Sequence, residues 1–174
     1  MPKLTIARPE AVEYNPHYAG YIAKVQGDAL AQLERQAKET PAFLASIPEA
    51  KALHRYAPGK WSIKEVVGHV ADAERVFAYR ALRFGRGDAS ALAKFDENAY
   101  VPAGNFDARP LADLAAELAA VRAATLALVR GLPAGAFERQ GIASGHPVTV
   151  RALVHIIAGH ERHHLDIIKE RYLA

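Results

Sequence analysis

The sequence contains no cysteine among its 174 residues. This absence excludes a disulfide framework, a cysteine nucleophile and a metal site built on thiolates, so any bound metal would have histidine or carboxylate ligands. The chain also lacks an apolar run long enough to span a bilayer, and no apolar region of a signal peptide precedes Arg8 and Glu10. We therefore expect a cytoplasmic protein that has no membrane partner.

Charge of one sign is not concentrated in any part of the sequence. The 22 Lys and Arg residues are nearly balanced by 19 Asp and Glu residues, which leaves a formal net charge of +3. A nucleic-acid interface requires a clustered basic patch or stripe, so we expect no nucleic-acid partner. Hydrophobic residues make up 51% of the chain, which is typical of a folded protein with a buried core.

Four long segments have the apolar periodicity of α-helices, and no segment shows a convincing alternation of strand residues. The first predicted helix covers roughly residues 16–45. Pro41 lies inside this span, and it predicts a break or kink near Thr40 because proline cannot donate the helical hydrogen bond.

The second predicted helix has the clearest start. Ser62 and Glu65 are three residues apart and form a capping box, and the helix should end near Phe84, where two glycines follow. The third extends from near Pro110 to a Gly-Leu-Pro stop, and the fourth from near Thr149 almost to the C-terminus. The sequence therefore predicts an all-α four-helix bundle.

The connector between the second and third helices, residues 86–109, is long and contains both aromatic and acidic residues. Structureless loops of this length are uncommon, so short helical pieces are possible here. Where such loops occur they are often functional. With no linker or repeat to divide the chain, we predict a single domain over residues 1–174.

Two histidines of the fourth helix, His160 and His164, lie about 40° apart on the helical wheel, among isoleucine and leucine residues. Burying imidazoles in an apolar seam costs free energy unless their nitrogens are satisfied, and a divalent metal is the commonest partner for two at once. The wheel places His163 nearer the edge of the buried face. His155 lies about 140° from His160 and is predicted to face outward or toward another surface.

His69 lies on or beside the buried stripe of the second helix. Taken alone, such a histidine is more often a core residue with a satisfied nitrogen. Together with His160 and His164 it can form a three-nitrogen site between facing helices, which leaves coordination positions open as in a catalytic metal site.

Asp72 and Arg80 are the candidate catalytic residues beside this site. Asp72, about one turn after His69, can orient a ligand or act as a base, or it can be a solvated carboxylate on the helix face. Arg80 points within about 20° of His69 and can bind an anionic group of a substrate, or it can pair with a carboxylate in the bundle.

The segment from His160 to His164 also matches the H-E-x-x-H motif, with Glu161 in the position of the catalytic base. A zinc protease is therefore an alternative hypothesis, although the four-helix pattern around the motif does not favour it.

Two segments resemble a known family. Trp61–Asp72, W-S-I-K-E-V-V-G-H-V-A-D, is similar to the W-S-x-x-x-x-x-x-H-x-x-D signature of the DinB-like superfamily, and His160–His164 resembles its last-helix H-x-x-x-H. Their order and separation also match, and the resemblance covers nearly the whole chain. The bacillithiol S-transferase branch is the most similar, but this chain has Ala73-Glu74 and Leu165-Asp166 where that branch continues differently.

The resemblance implies an up-down-down-up four-helix bundle that is often dimeric, so we expect a homodimer. It implies a divalent metal on His69, His160 and His164, with zinc or nickel expected ahead of iron or manganese. The branch implies a transferase that activates a low-molecular-weight thiol for attack on a small electrophilic substrate. Two alternatives stay open: a hydrolase that uses metal-bound hydroxide, and a metal-binding bundle without enzymatic activity.

Overall fold

The computed structural model describes residues 4–174. Six helices and one small antiparallel sheet account for most of this range. The helices are α1 (Ala19–Ala23), α2 (Ala29–Ala45), α3 (Ile63–Gly85), α4 (Glu97–Gly104), α5 (Leu111–Arg130) and α6 (Val150–Ile167), and the strands are β1 (Gln140–Ala143) and β2 (His146–Thr149). A π-helical turn, Ile168–Tyr172, continues α6.

Contacts near the helix ends show that α3 and α5 run in the same direction. Just before their first residues, the Ser62 hydroxyl donates to the carboxylate of Asp107. At their last residues, the side chain of Leu132 packs against Gly85. The capping box predicted at Ser62 is formed, and the predicted bounds of α3, α5 and α6 agree with the structure to within a few residues.

The other two long helices run the opposite way. The Tyr172 hydroxyl, beyond the end of α6, donates to the carbonyl oxygen of Trp61 before the start of α3, at 2.8 Å. Arg130 at the end of α5 pairs with Glu34 near the start of α2, at 2.7 Å. The order is therefore up-down-down-up, with α2 and α3 each packed mainly on α5 and α6. This confirms the predicted bundle and the topology that the resemblance implied.

The first helical segment differs from its prediction. The chain is interrupted at residues 24–28, where Gly27 has a φ of +74° and the Asp28 side chain accepts the amide of Leu30 to cap α2. α2 then continues through Pro41, so the helix is not broken at Thr40. A proline removes one helical hydrogen bond, and a tertiary hydrogen bond from the neighbouring Thr40 to Glu161 of α6 helps to offset that cost.

Of the two positions predicted for His155, the outward one is wrong, because the residue is 0% exposed, and the side chain faces another packed surface instead. α6 packs on α1, α2, α3 and β2, so it leaves no face of this stretch to solvent. A helical wheel divides a helix into one buried and one exposed face, and that division fails for a central helix. Ring nitrogen Nδ1 lies 2.9 Å from the carbonyl oxygen of Arg151.

The hairpin of β1 and β2 was not predicted. Each strand has only four residues, and Gly141 and Pro147 interrupt the alternation that identifies a strand. The turn uses Ser144 and Gly145, whose φ angles of +54° and +80° are those of a tight hairpin turn. The expectation of a short helical piece in the connector is met by α4.

No helix within residues 4–174 is both long enough and apolar enough to cross a membrane.

A buried ion-pair network joins all four long helices. Arg122 of α5 is 2% exposed, and its Nε and Nη2 donate to the two carboxylate oxygens of Glu74 on α3 at 2.9 and 2.7 Å. Nη2 also donates to Glu161 on α6, and the other oxygen of Glu161 accepts the hydroxyl of Thr40 on α2. Nη1 donates to the carbonyl oxygen of Leu33, also on α2, at 3.4 Å.

Replacing Arg122 should be strongly destabilising, because it leaves Glu74 and Glu161 buried without a counter-charge. We expect Arg122→Met to lower the free energy of unfolding by about 3–5 kcal/mol, measured by urea denaturation. The control is Arg130→Met, whose exposed pair with Glu34 should contribute less than about 1 kcal/mol. Equal losses in the two variants would show that the network does not stabilise the bundle.

Candidate metal centre

Three imidazoles from two facing helices meet between α3 and α6. Nε2 of His160 lies 3.1 Å from Nε2 of His69 and 3.1 Å from Nε2 of His164. Candidate ligand atoms of all three residues lie within 4.8 Å of one another. Two nitrogens bound to one tetrahedral zinc ion are separated by about 3.3 Å, so this spacing suits a shared divalent cation. The structure brings together the three histidines that the sequence singled out.

The electrostatics of this cluster favour neutral imidazoles. Burial lowers the pKa of His69 to about 4 and that of His164 to about 3. Burial, followed by the proximity of the other histidines, also places the pKa of His160 well below its ordinary value. A metal ligand must have a free lone pair, so histidines that are deprotonated at neutral pH fit a divalent cation.

A glycine before His160 allows another segment to reach the site. A Cβ atom at Gly159 would lie 1.9 Å from the carbonyl oxygen of Tyr21, so the backbone of α1 rests directly on α6. This approach sets the Tyr21 ring edge-on to His160, with 5.2 Å between the ring centroids. His163, which was ambiguous on the wheel, packs edge-on against the same tyrosine, with 5.2 Å between the ring centroids, and is only partly buried.

Gly68, which precedes His69, also leaves room for a side chain from another segment. A Cβ atom at Gly68 would lie 2.4 Å from the ring of Phe106, which follows α4 in the connector. The ring fills the space that any larger residue at position 68 would occupy. It therefore anchors the connector against α3, immediately beside the first candidate ligand.

Two cavities reach the imidazoles from different sides. The first, about 110 Å³, has a mainly polar wall lined by His17, Tyr18, Tyr21, His69, Phe77, Phe95, Glu97, Ser144 and His160. The second, about 250 Å³, is lined by Tyr56, Gly59, Lys60, Trp61, Val66, Asn98, His164, Ile167 and Tyr172. Glu97 and Asn98 belong to the first turn of α4, so this turn contributes to both cavities.

Glu97 is the acidic side chain in the wall of the first cavity. Among residues 4–174, no side chain or backbone group forms a hydrogen bond or ion pair with its carboxylate. Its negative charge raises the pKa of His69 slightly, against the larger lowering by burial. The sequence pointed to this connector through its length and its acidic and aromatic residues, but a helix as short as α4 has too few turns for periodicity to show where Glu97 points.

The two candidate catalytic residues have different surroundings. Asp72 accepts a hydrogen bond from Arg75 at 3.2 Å, and burial raises its pKa. It is not part of the wall of either cavity. Arg80 is 3% exposed and donates from Nη2 to the carbonyl oxygen of Ala93 at 2.9 Å and to Oγ of Ser144 at 3.0 Å. Within the range the structure describes, no carboxylate lies within 4.0 Å of it.

The structure contradicts the role of Glu161 as the base of an H-E-x-x-H zinc protease. Successive residues of a helix point about 100° apart, so Glu161 faces away from the cluster that contains His160. Its carboxylate is held by Arg122 and Thr40 inside the bundle, where it has no access to either cavity.

The contact between Gly159 and Tyr21 predicts that a larger residue at position 159 destabilises the protein. Gly159→Ala forces the α1 backbone away from α6, and we expect it to lower the free energy of unfolding by about 1–3 kcal/mol in urea denaturation. The matched control is Gly20→Ala in α1, where nothing lies within 4 Å of an added Cβ atom. That change should stabilise the protein by up to about 1 kcal/mol, because alanine is the better helix former. Stabilisation by both changes would contradict the close approach.

Comparison with known proteins agrees with this architecture. The family model of the DinB superfamily matches residues 32–168. No curated protein sequence matches the chain significantly. Among solved structures, YfiT from Bacillus subtilis is similar over 94% of this chain and 90% of its own, with a TM-score of 0.70 and 19% identity. YfiT is described as a probable metal-dependent hydrolase with an unusual four-helix bundle topology.

The match to the family model covers most of the chain, and the helix order found here is the one that the resemblance implied. The family-model match does not distinguish the bacillithiol S-transferase branch from other members of the superfamily. The chain belongs to the DinB superfamily.

Proposed function

We propose that the chain is a hydrolase that depends on a divalent metal held by His69, His160 and His164. The observation that carries this proposal is the cluster of three neutral imidazoles, two of which, His69 and His160, line a polar cavity. Glu97 lines the same cavity, and its carboxylate has no partner among residues 4–174. The similarity to YfiT, itself described as a probable metal-dependent hydrolase, supports the same class of reaction.

A divalent ion on three imidazoles keeps its charge, has open coordination positions and lowers the pKa of a water molecule that it binds. Zinc, nickel and iron all accept imidazole nitrogen, and manganese is a further candidate, so the donor set is compatible with several metals.

Glu97 is the group of this chain best placed to accept the proton of the attacking water. A carboxylate with no partner of its own is free to take up a proton and pass it to the leaving group. Asp72 is a weaker candidate for this role, because Arg75 already occupies its carboxylate and it faces neither cavity. We therefore assign the general base to Glu97.

Transfer of a low-molecular-weight thiol is the second candidate function. The observation that favours it is the larger cavity of about 250 Å³, which reaches His164 separately from the cavity at His160. Two cavities at one centre can hold two substrates, a thiol and an electrophile. Because the chain has no cysteine, the thiol would have to be a small molecule.

The ligand assignment predicts the metal content of the purified protein. We expect about one equivalent of divalent metal by elemental analysis, and loss of at least nine-tenths of it in His160→Ala, because two remaining imidazoles bind weakly. His163→Ala is the matched control on the same helix and should keep its metal. Full metal content in His160→Ala, with the fold intact by circular dichroism, would overturn the site.

The same preparations distinguish the candidate functions. Hydrolysis of a panel of 4-nitrophenyl esters and aryl amides without added thiol, abolished by a chelator and restored by metal, is the result expected of a hydrolase. Turnover of an electrophile that requires a low-molecular-weight thiol would establish the transferase instead. A protein that binds metal stoichiometrically but turns over neither class would be a metal-binding bundle without these activities.

The assignment of Glu97 predicts a separation between catalysis and metal binding. Glu97→Gln should lower kcat by about 100-fold, because proton transfer to a positioned base contributes on that order, while the metal content stays the same. Asp72→Asn, the matched carboxylate control, should change kcat by less than about threefold. A larger loss in Asp72→Asn than in Glu97→Gln would reverse the two roles.

A further inference from the structure

Arg80 is a buried cation that has no anionic partner in the described range, residues 4–174. Its guanidinium lies behind the wall of the smaller cavity, with Cζ 5.9 Å from the ring centroids of both Phe77 and Phe95, which line that wall. Its hydrogen bonds go only to neutral oxygens, those of Ala93 and Ser144, in residues 4–174. A buried charge is costly unless an opposite charge compensates it, so this side of the cavity attracts an anion.

Ser144 connects this charge to the cavity. Its Oγ accepts a hydrogen bond from Arg80 at 3.0 Å, and the residue itself lines the cavity together with His69 and His160. A hydroxyl that accepts one bond still has its own proton to donate. In the part of the chain that the structure describes, no group accepts that proton. Because the guanidinium is charged, it also polarises the hydroxyl and makes it a stronger donor.

The backbone holds Ser144 in place. Its φ is +54°, in the left-handed region where glycine, asparagine or aspartate is usual in such a turn. The amide of Ser144 donates to the carbonyl oxygen of Leu92 at 3.0 Å, and the amide of Leu92 donates to Ile142 at 2.8 Å. The connector and the hairpin therefore fix the backbone of Ser144, and the hydrogen bond from Arg80 orients its hydroxyl, as a preorganised binding group requires.

We propose that Ser144, with Arg80 behind it, forms a subsite that binds a carboxylate group of the substrate beside the imidazole cluster. Ser144 contacts the carboxylate, and Arg80 is a positioning residue that orients and polarises the hydroxyl. This inference rests on the proposed function, because it takes the cavity at His160 as the place where substrate binds.

The size of the cavity limits the group that this subsite accepts. A volume of about 110 Å³ corresponds to roughly four water molecules, so a group held by Ser144 lies within a few atoms of the imidazoles. A carboxylate fits this space. Glu97 lines the same cavity and opposes an anion, so Glu97→Gln should tighten the binding of a carboxylate.

The test compares acetate with acetamide, its neutral isostere. Each is titrated into the full-length, ¹⁵N-labelled protein loaded with zinc, and the amide signals of Ser144 and Gly145 are followed by NMR. We expect saturable shifts with acetate and none with acetamide. Arg80→Gln and Ser144→Ala should each raise the Kd for acetate about tenfold or more, as expected for loss of a charge-assisted hydrogen bond.

Two controls separate binding from folding. Arg80→Lys keeps the positive charge and should restore the Kd for acetate to within about threefold of the parent. If Arg80 only supported the local structure, Arg80→Lys and Arg80→Gln should have similar Kd values for acetate. Arg83→Gln removes an arginine of the same helix that pairs with Asp88 outside the cavity, and it should leave the Kd unchanged. Thermal midpoints are measured for each variant, and Ser144→Ala decides the result if Arg80→Gln does not fold.

Acetate binding that is equal in the parent, Arg80→Gln and Ser144→Ala would overturn the subsite, as would equal binding of acetate and acetamide. Either result would leave the proposed hydrolysis standing. Conversely, acetate binding that depends on both residues in a protein without ester or amide hydrolysis would overturn the proposed function and retain the carboxylate subsite.

Discussion

The buried guanidinium of Arg122 is the interaction on which the bundle and its site depend. It bonds to Glu74 and Glu161, and the Thr40 hydroxyl completes the network, so each long helix contributes one side chain. Burial raises the pKa of Glu161, while Arg122 and Thr40 oppose that shift. Glu161 directly follows His160 in sequence. The ion pairs that fix α3 against α6 therefore also fix the distance between the imidazoles on those two helices.

Most of the fold follows from local signals in the sequence. The capping box at Ser62 and the stop signals after α3 and α5 predicted the bounds of these two long helices, because apolar periodicity and capping are properties of one segment. The interruption at Gly27 is also local, because Asp28 caps α2, but the apolar periodicity of residues 16–45 obscured it. The continuous helix through Pro41 and the hairpin have contacts with distant segments. Such contacts override local preference, and they leave no pattern in a short stretch of chain.

The same division holds at the candidate site. The helical wheel and the family resemblance both identified His69, His160 and His164, because helical spacing converts sequence position into direction. Glu97 begins the short helix α4 and Ser144 lies in a turn, and neither segment is long enough for spacing to give a direction. His155 shows the converse limit, since periodicity indicates direction but not whether another segment covers that direction.

Gly68 and Gly159 each precede a candidate metal ligand, and each leaves room for a segment outside the four long helices. The backbone of Tyr21 and the ring of Phe106 therefore dock on α6 and α3 at the positions just before two of the three imidazoles. Any ion that binds the finished cluster more tightly than the open one stabilises the docked state by mass action. For such an ion, occupancy of the centre and docking of these two segments are thermodynamically linked, and the two glycines are the positions that make the docking possible.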